Sequence, residues 1–330
     1  MSNIIRSVKI CGTGSYTPRK IVTNKELENK VTTSDEWIYS NLGIKERRIA
    51  EEGESTSVLA FEAARKAIQD AGLTPDDIDL IIVATSTPDR PAPSTACIVQ
   101  EKLGAFNAAA FDIAAVCSGF IYGFSIGAQF IAAGAYKYVL VIGADTFSNI
   151  TDWNRRDCVF FGDGAGAAVL TSCDNGEGLI NFHLAADGRG RDHFTVLAGG
   201  SQMPASHQTV DTGLHHFKMN GGEVFKSATK VLPDAINIVL KNSGLTIDDV
   251  DYLIPHQPSI NILKVTAEKL GLPFEKVMTN MDRYANTSGG TIPILLDETL
   301  KSGKIKKGNI VLFAAVGAGW TWGAAVIKWV

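Results

Sequence analysis

Residues 71–87 read AGLTPDDIDLIIVATST, and residues 243–259 read SGLTIDDVDYLIPHQPS. The two stretches align without a gap at an offset of 172 residues (243 − 71). Within the first, Leu80 to Ala84 (LIIVA) is a continuous apolar, β-branched run, the mark of a strand covered on both faces. The correspondence continues outward in order. Lys102-Leu103-Gly104 recurs as Lys269-Leu270-Gly271, YVLVIGA from Tyr138 recurs as NIVLFAA from Asn309, and GAAVL from Gly166 recurs as GAAVI from Gly323. One such match is chance. Four in the same order over half a chain indicate an internal duplication. Each half then reads β-α-β-α-β-α-β-β, an α/β sheet covered by helices, with the halves spanning 1–173 and 174–330. Residues 187–218 have no counterpart in the first half and read as an inserted loop region, a candidate lid.

Local punctuation agrees with this order. Thr23 and Asn24 precede a short capped helix, Ser55 to Ala71 has helical spacing ending at Gly72, and Ser94 to Leu103 closes at Gly104. The chain has 330 residues, 45% of them hydrophobic and 20% charged, enough for one large core or two fused domains. A net charge of −4 gives no sequence-wide attraction to nucleic acid or to an anionic membrane, and neither is expected as a partner. The N-terminus lacks the apolar run of a signal peptide, and no apolar stretch is long enough to span a bilayer. The five cysteines are odd in number and scattered, without a CxxC pair. Neither a disulfide framework nor a zinc site is expected, and a reducing cytoplasm is the natural location.

The chemistry centres on residues 111–120, FDIAAVCSGF. Phe111 to Val116 reads as a buried strand, and Phe120, Phe124, Ala128 and Ile131 follow at helical steps. Cys117 therefore sits where a strand turns into a helix. The positive end of the helix dipole at that point favours thiolate, the nucleophilic form. The plainer reading is a small core hydrophobe, the usual fate of a free cysteine. The duplication adds two residues to the argument. His256 follows the second-half copy of the LIIVA strand, and Asn286 follows the second-half Lys-Leu-Gly unit as Cys117 follows the first. α/β sheets bind ligands at such strand ends, so a Cys, a His and an Asn converge on the seam between halves. Taken singly, His256 reads as a loop-fixing hydrogen bonder and Asn286 as an N-cap. FGDGAGA, from Phe161, lacks the GK[ST] of a phosphate loop and reads as a tight turn.

These motifs carry a resemblance. The stretches GTGSYTP near Gly12, TSDEWI at Thr33, IKERRIA at Ile44, DIAAVCSGF, FGDGAGA, KMNGGEVFK at Lys218, PHQPS at Pro255, NTSGGTIP at Asn286 and TWGAA at Thr321 resemble β-ketoacyl-acyl carrier protein synthase III. This family comprises the initiating condensing enzymes of type II fatty-acid synthesis, within the thiolase superfamily. The resemblance implies a duplicated thiolase-like five-layered αβαβα fold, usually as a homodimer. It implies that Cys117 takes an acyl group from acyl-CoA and that the amides of Cys117 and Ala318 form an oxyanion hole. His256 and Asn286 would bind the malonyl thioester of an acyl carrier protein, so that loss of CO2 yields a carbanion equivalent and then a 3-oxoacyl product. No metal and no bound redox cofactor is implied; acyl-CoA is a substrate. Trp37 and Arg155 match CoA-facing positions, with Asn41 where an arginine is usual.

Several family positions differ. Ser259 stands in place of the Asn of HQAN, Asn261 replaces an arginine thought to meet the carrier protein, and of the next basic pair only Lys269 is basic, Glu268 being the other. Ala92 replaces a bulky aromatic that caps the partner subunit's acyl tunnel, which implies room for acyl groups longer than acetyl. The altered basic positions keep an alternative open: a specialised-metabolism relative that condenses with, or transfers acyl groups to, a non-standard acceptor. A non-catalytic scaffold fits poorly with all three residues present. A thiolase needs a second cysteine near the C-terminus, and none follows Cys173.

Overall fold

The computed structural model describes residues 6–174 and 176–330. In chain order the first half contains β1 (Ser7–Tyr16), β2 (Ile21–Thr23), α1 (Asn24–Glu28), α2 (Asp35–Leu42), β3 (Glu46–Arg48), α3 (Thr56–Asp70), β4 (Leu80–Ala84), α4 (Thr95–Leu103), β5 (Ala109–Ile113), α5 (Gly119–Ala132), β6 (Val139–Thr146) and β7 (Asp163–Cys173). The second contains β8 (Gly178–Ala186), β9 (Phe194–Val196), α6 (His207–Asp211), β10 (Phe217–Met219), α7 (Gly221–Asn242), β11 (Tyr252–Pro255), α8 (Ile260–Leu270), α9 (Met281–Tyr284), α10 (Thr291–Lys301), β12 (Ile310–Gly317) and β13 (Thr321–Lys328).

The two main sheets repeat one topology. The first runs β1-β7-β6-β4-β5 and the second β8-β13-β12-β11. In each, one parallel pair (β4 with β6, β11 with β12) is followed by two antiparallel pairings, and the first sheet adds β5 parallel to β4 at its edge. The duplicated turn has the same chemistry in both copies. Thr74 and Asp77 form a capping box at 2.8 Å, and Thr246 and Asp249 form another. The carboxylate of Asp79 accepts from the backbone of Lys137 and Tyr138, and that of Asp251 accepts from Ile310, tying each edge to the strand beside it. One strand differs. Where β5 pairs along β4, the second half has a single parallel bridge between Leu253 and Val277.

Five layers result. α3 and α4 cover the outer face of the first sheet, α7 and α8 that of the second, and α5 and α10 lie between the sheets. The middle layer joins Phe120 and Phe124 of α5, Ile292 and Leu295 of α10, and Phe313 of β12 in one core. Each half supplies one central helix, so neither sheet buries its inner face without the other. The inserted region 187–218 is more ordered than a loop. β9 and β10 pair as a ribbon, and Phe194 and Phe217 stack face to face within an aromatic cluster that includes Phe147 and Phe161. Three-residue strands are too short to register as an alternating pattern, and for that reason the region reads as a loop in sequence.

Candidate active site

Cys117 occupies a one-turn bend, Val116–Ser118, between β5 and α5. The bend is strained: Val116, a β-branched residue, has φ of 48°. The other two non-glycine residues with positive φ among the described residues are Ala285 and Ser288, which flank Asn286. All three thus lie in the two loops that face one another, where strain is retained only if the surroundings enforce it.

The second-half loop is held from several sides. The backbone N–H of Asn286 donates to the Phe160 carbonyl and its own carbonyl accepts from Gly162. Its side-chain Oδ1 accepts from the Ser288 N–H at 2.8 Å, which leaves the amide NH2 as its free polar group. The Cys117 thiol donates to Ser288 Oγ at 3.7 Å. Behind them lies Asp145, fully buried at the end of β6. One of its oxygens accepts from Ser86 and Thr87 beyond β4, and the other accepts from the Gly289 N–H. A single carboxylate therefore joins a first-half loop to the second-half turn. Gly143 lets the turn close in: a Cβ there would lie 2.0 Å from the Gly289 carbonyl oxygen.

His256 follows β11, with its N–H bonded to the Ala314 carbonyl at 2.8 Å. Its Nδ1 lies 2.8 Å from Thr291 Oγ1. Ala318 follows β12. The Thr321 hydroxyl donates to the Ala115 carbonyl at 3.1 Å and reaches the Ala318 carbonyl, clamping this loop to the cysteine loop. Gly317 is obligatory for that approach, because a Cβ would sit 2.6 Å from the Ala115 oxygen and 3.0 Å from the Cys117 nitrogen.

Cys117, His256, Asn286, Ala318, Ser259 and Trp37 all line one cavity of about 350 Å³, whose other walls include Phe161, Phe194 and Phe225. Burial pushes the Cys117 thiol up to about 12, against the lowering effect of its hydrogen bond with Ser288, and it pulls the His256 imidazolium down to about 3. The resting pair is therefore thiol and neutral imidazole. This departs from the thiolate expected at a helix N-terminus. A helix dipole contributes roughly 0.3–1 kcal/mol, and removing a sulfur anion from water costs several times that.

The remaining sequence-derived positions fall in different places. The Arg156 guanidinium lies over the Trp37 ring, 4.1 Å from its centroid. Arg155 instead pairs with Asp157 at 2.6 Å and donates to the Phe217 carbonyl, though both arginines and Trp37 border the outer cavity. Ser259 lines the inner cavity, but its hydroxyl caps α8 by accepting from Ile262. Lys269, in the last turn of α8, donates to the Thr229 carbonyl at 2.9 Å. Ala92 is exposed between β4 and α4, outside its own chain's cavity. Sequence reasoning missed Ser288, Thr291, Asp145 and Arg156. The first two stand at fixed steps after Asn286 in NTSGGT, but only the fold turns them toward Cys117 and His256. Among the described residues no group of three or more His, Cys, Asp or Glu is arranged to hold a metal ion.

The chain is similar to known proteins over nearly its whole length. Residues 111–188 match the family model for 3-oxoacyl-[acyl-carrier-protein (ACP)] synthase III, and residues 240–329 match the model for its C-terminal part. The chain is 54% identical over 321 residues to a β-ketoacyl-[acyl-carrier-protein] synthase III of Caldanaerobacter subterraneus subsp. tengcongensis, covering 97% of both. It is 49% identical over 321 residues to the protein of that name from Clostridioides difficile, covering 97% of this chain and 98% of the other. The crystal structure of 3-oxoacyl-[acyl-carrier-protein] synthase III from Aquifex aeolicus VF5 is similar with a TM-score of 0.90 and 43% identity, over 98% of this chain and 100% of that one.

Proposed function

The chain belongs to the 3-oxoacyl-[acyl-carrier-protein] synthase III family, and we propose that it condenses an acyl-CoA with malonyl-acyl carrier protein in the cavity around Cys117. It is a condensing acyltransferase that starts fatty-acid chains. The observation that carries the reading of the site is the meeting of a thiol, an imidazole and a carboxamide, all buried side chains drawn from both halves, on one cavity. Cys117 sulfur attacks the thioester carbonyl of acyl-CoA, its proton leaves with the CoA sulfur, and an acyl-cysteine remains. The amides of Cys117 and Ala318 receive the oxyanion, an interaction that contributes about 3 kcal/mol in comparable sites. The malonyl thioester then enters. His256 Nε2 and the Asn286 NH2 hydrogen-bond its carbonyl, the C–CO2 bond breaks, and the electron pair is held as an enolate. The enolate carbon attacks the acyl-cysteine, and the thiol is regenerated with a proton from solvent.

Trp37 and Arg156 form the platform for the nucleotide end of CoA, with Arg155 beside it and Ser259 at the inner wall. The acyl chain lies against Phe194 and Phe225, and Ala92 of a second copy leaves room beyond acetyl. Carrier contact at Lys269 is weak, because its ammonium is already engaged by Thr229. A homodimer is supported by β5, which forms one edge of its sheet and carries half-buried Phe111 and Ile113. No helix among the described residues is long and apolar enough to cross a membrane, and five free cysteines support a reducing, cytoplasmic setting.

Intact mass and peptide mapping after incubation with acetyl- to dodecanoyl-CoA test the proposal. One acyl group on Cys117, released on adding malonyl-carrier protein with evolution of CO2, is the expected result. Absence of any adduct, or an adduct that survives the malonyl donor, refutes it. Sedimentation of the purified chain at twice its monomer mass is expected from the β5 edge.

A further inference from the structure

Val116 is held in a backbone conformation that its own side chain opposes. At a φ of 48° a β-branched residue is a clear outlier. Among the described residues glycine supplies positive φ at fourteen other positions, and the two further exceptions, Ala285 and Ser288, are small. The surroundings impose the bend. The Ala115 carbonyl before it accepts from the Ser118 N–H at 3.1 Å, from Ser118 Oγ at 2.7 Å and from Thr321 Oγ1 at 3.1 Å. The Val116 carbonyl after it accepts from the Gly119 N–H. Both peptide groups that flank the residue are thus fixed. A glycine would follow the same path without strain. The isopropyl group adds nothing to the core in return, since Val116 belongs to none of the apolar clusters of the fold. It lines the cavity instead, next in the chain to the attacking sulfur. Strain kept without a packing return points to a role in the site.

We propose that Val116 is a specificity-determining residue that makes Cys117 select acyl groups unbranched at carbon 2. The inference rests on the reading of the site given above. With the thioester oxygen toward the Cys117 and Ala318 amides, the Val116 methyls are the wall beside carbon 2. A straight chain presents only hydrogens there and runs on toward Phe194 and Phe225, which line the same cavity. A methyl branch meets the isopropyl group. That group has few rotamers to turn into, and its backbone is held on both sides, so the clash is not relieved. The selection acts on the first carbons alone and leaves the length of the chain to the far end of the cavity.

Butyryl-CoA and isobutyryl-CoA test this, being isomers that differ only in the branch. First-turnover CoA release is measured with each on full-length wild type, Val116→Ala and Val116→Gly, with acetyl-CoA as the control. The wild type should favour butyryl-CoA about tenfold or more, and both variants should narrow the ratio to about threefold or less. A ratio taken within one variant cancels any general loss of acylation. Stability separates the two variants. Val116→Gly should melt above Val116→Ala, the reverse of the usual order, because alanine keeps the strained φ and glycine relieves it. Equal rates with the two isomers in the wild type, a ratio unchanged in both variants, or an alanine variant that melts above the glycine one overturns the proposal. Failure of the wider reading looks different: wild-type Cys117 then takes no acyl group even from acetyl-CoA. If Val116→Gly does not fold, the ratios of the wild type and Val116→Ala decide.

Discussion

Cys117 Sγ and Ser288 Oγ lie 3.7 Å apart, although 171 residues of sequence separate them. The contact spans the two halves, and it is the only hydrogen bond of the thiol among the described residues. A buried protonated sulfur that bonds a hydroxyl is quiet toward general electrophiles and reacts when a bound thioester is placed over it. Iodoacetamide at neutral pH should therefore alkylate exposed Cys97 before Cys117, while acyl-CoA modifies Cys117 alone. Ser288→Ala removes a hydrogen bond that lowers the thiol pKa, so the alkylation profile of Cys117 should move to higher pH. Peptide mapping of both reagents at several pH values checks this; prior labelling of Cys117 by iodoacetamide contradicts it.

His256 gives the pH dependence. Its imidazole titrates near 6.5 in an unfolded chain and at about 3 in the fold. Between those values the unfolded chain binds more protons, so this contribution to stability is present above 6.5 and is lost as pH falls toward 3. His256→Gln lacks it. The unfolding free energy of the wild type minus that of the variant should shrink steadily from about pH 7 to about pH 4. A difference independent of pH would mean that the imidazole is not held neutral.

Gly317 should tolerate no side chain. A methyl would meet the Ala115 oxygen at 2.6 Å and the Cys117 nitrogen at 3.0 Å, forcing apart the two amides proposed to hold the oxyanion. Gly317→Ala is expected to fold, since the position is at a strand end, and to lose first-turnover CoA release by about 10²-fold or more. Near-normal acylation by this variant would exclude the Cys117 and Ala318 amides as the oxyanion site.

Adjacent arginines should behave differently. Arg156→Ala removes the cation over Trp37, an interaction of about 0.5–1 kcal/mol, and should raise KM for acyl-CoA about two- to fivefold with little change in kcat. Arg155→Ala breaks the pair with Asp157 at the rim and should affect KM less. Initial-rate kinetics on the two variants separate them, and the reverse ranking would return the CoA-facing role to Arg155.

Much of the fold is legible in sequence because its signals are local. Thr74 with Asp77, and Thr246 with Asp249, announce the same capped turn twice, and the buried strand after each follows from its apolar run. Gly104 and Gly271 both end their helices in the left-handed conformation their spacing suggests. The shortened partner of β5 at Val277 and the ribbon of β9 and β10 are not legible, since a single bridge or three residues leave no periodicity.

From sequence alone come the duplication, the α/β layers and the candidate trio of Cys117, His256 and Asn286, because repeats, capping boxes and strand ends depend on neighbours in the chain. Tertiary structure alone decides that Ser288 faces the sulfur, that Thr291 holds the imidazole, that Asp145 joins the two loops and that Arg156 covers Trp37. It also decides the charge state of the site. A helix terminus is visible in the residue order, but the free energy of removing an anion from water depends on every group packed around it, and those groups come from both halves of the chain.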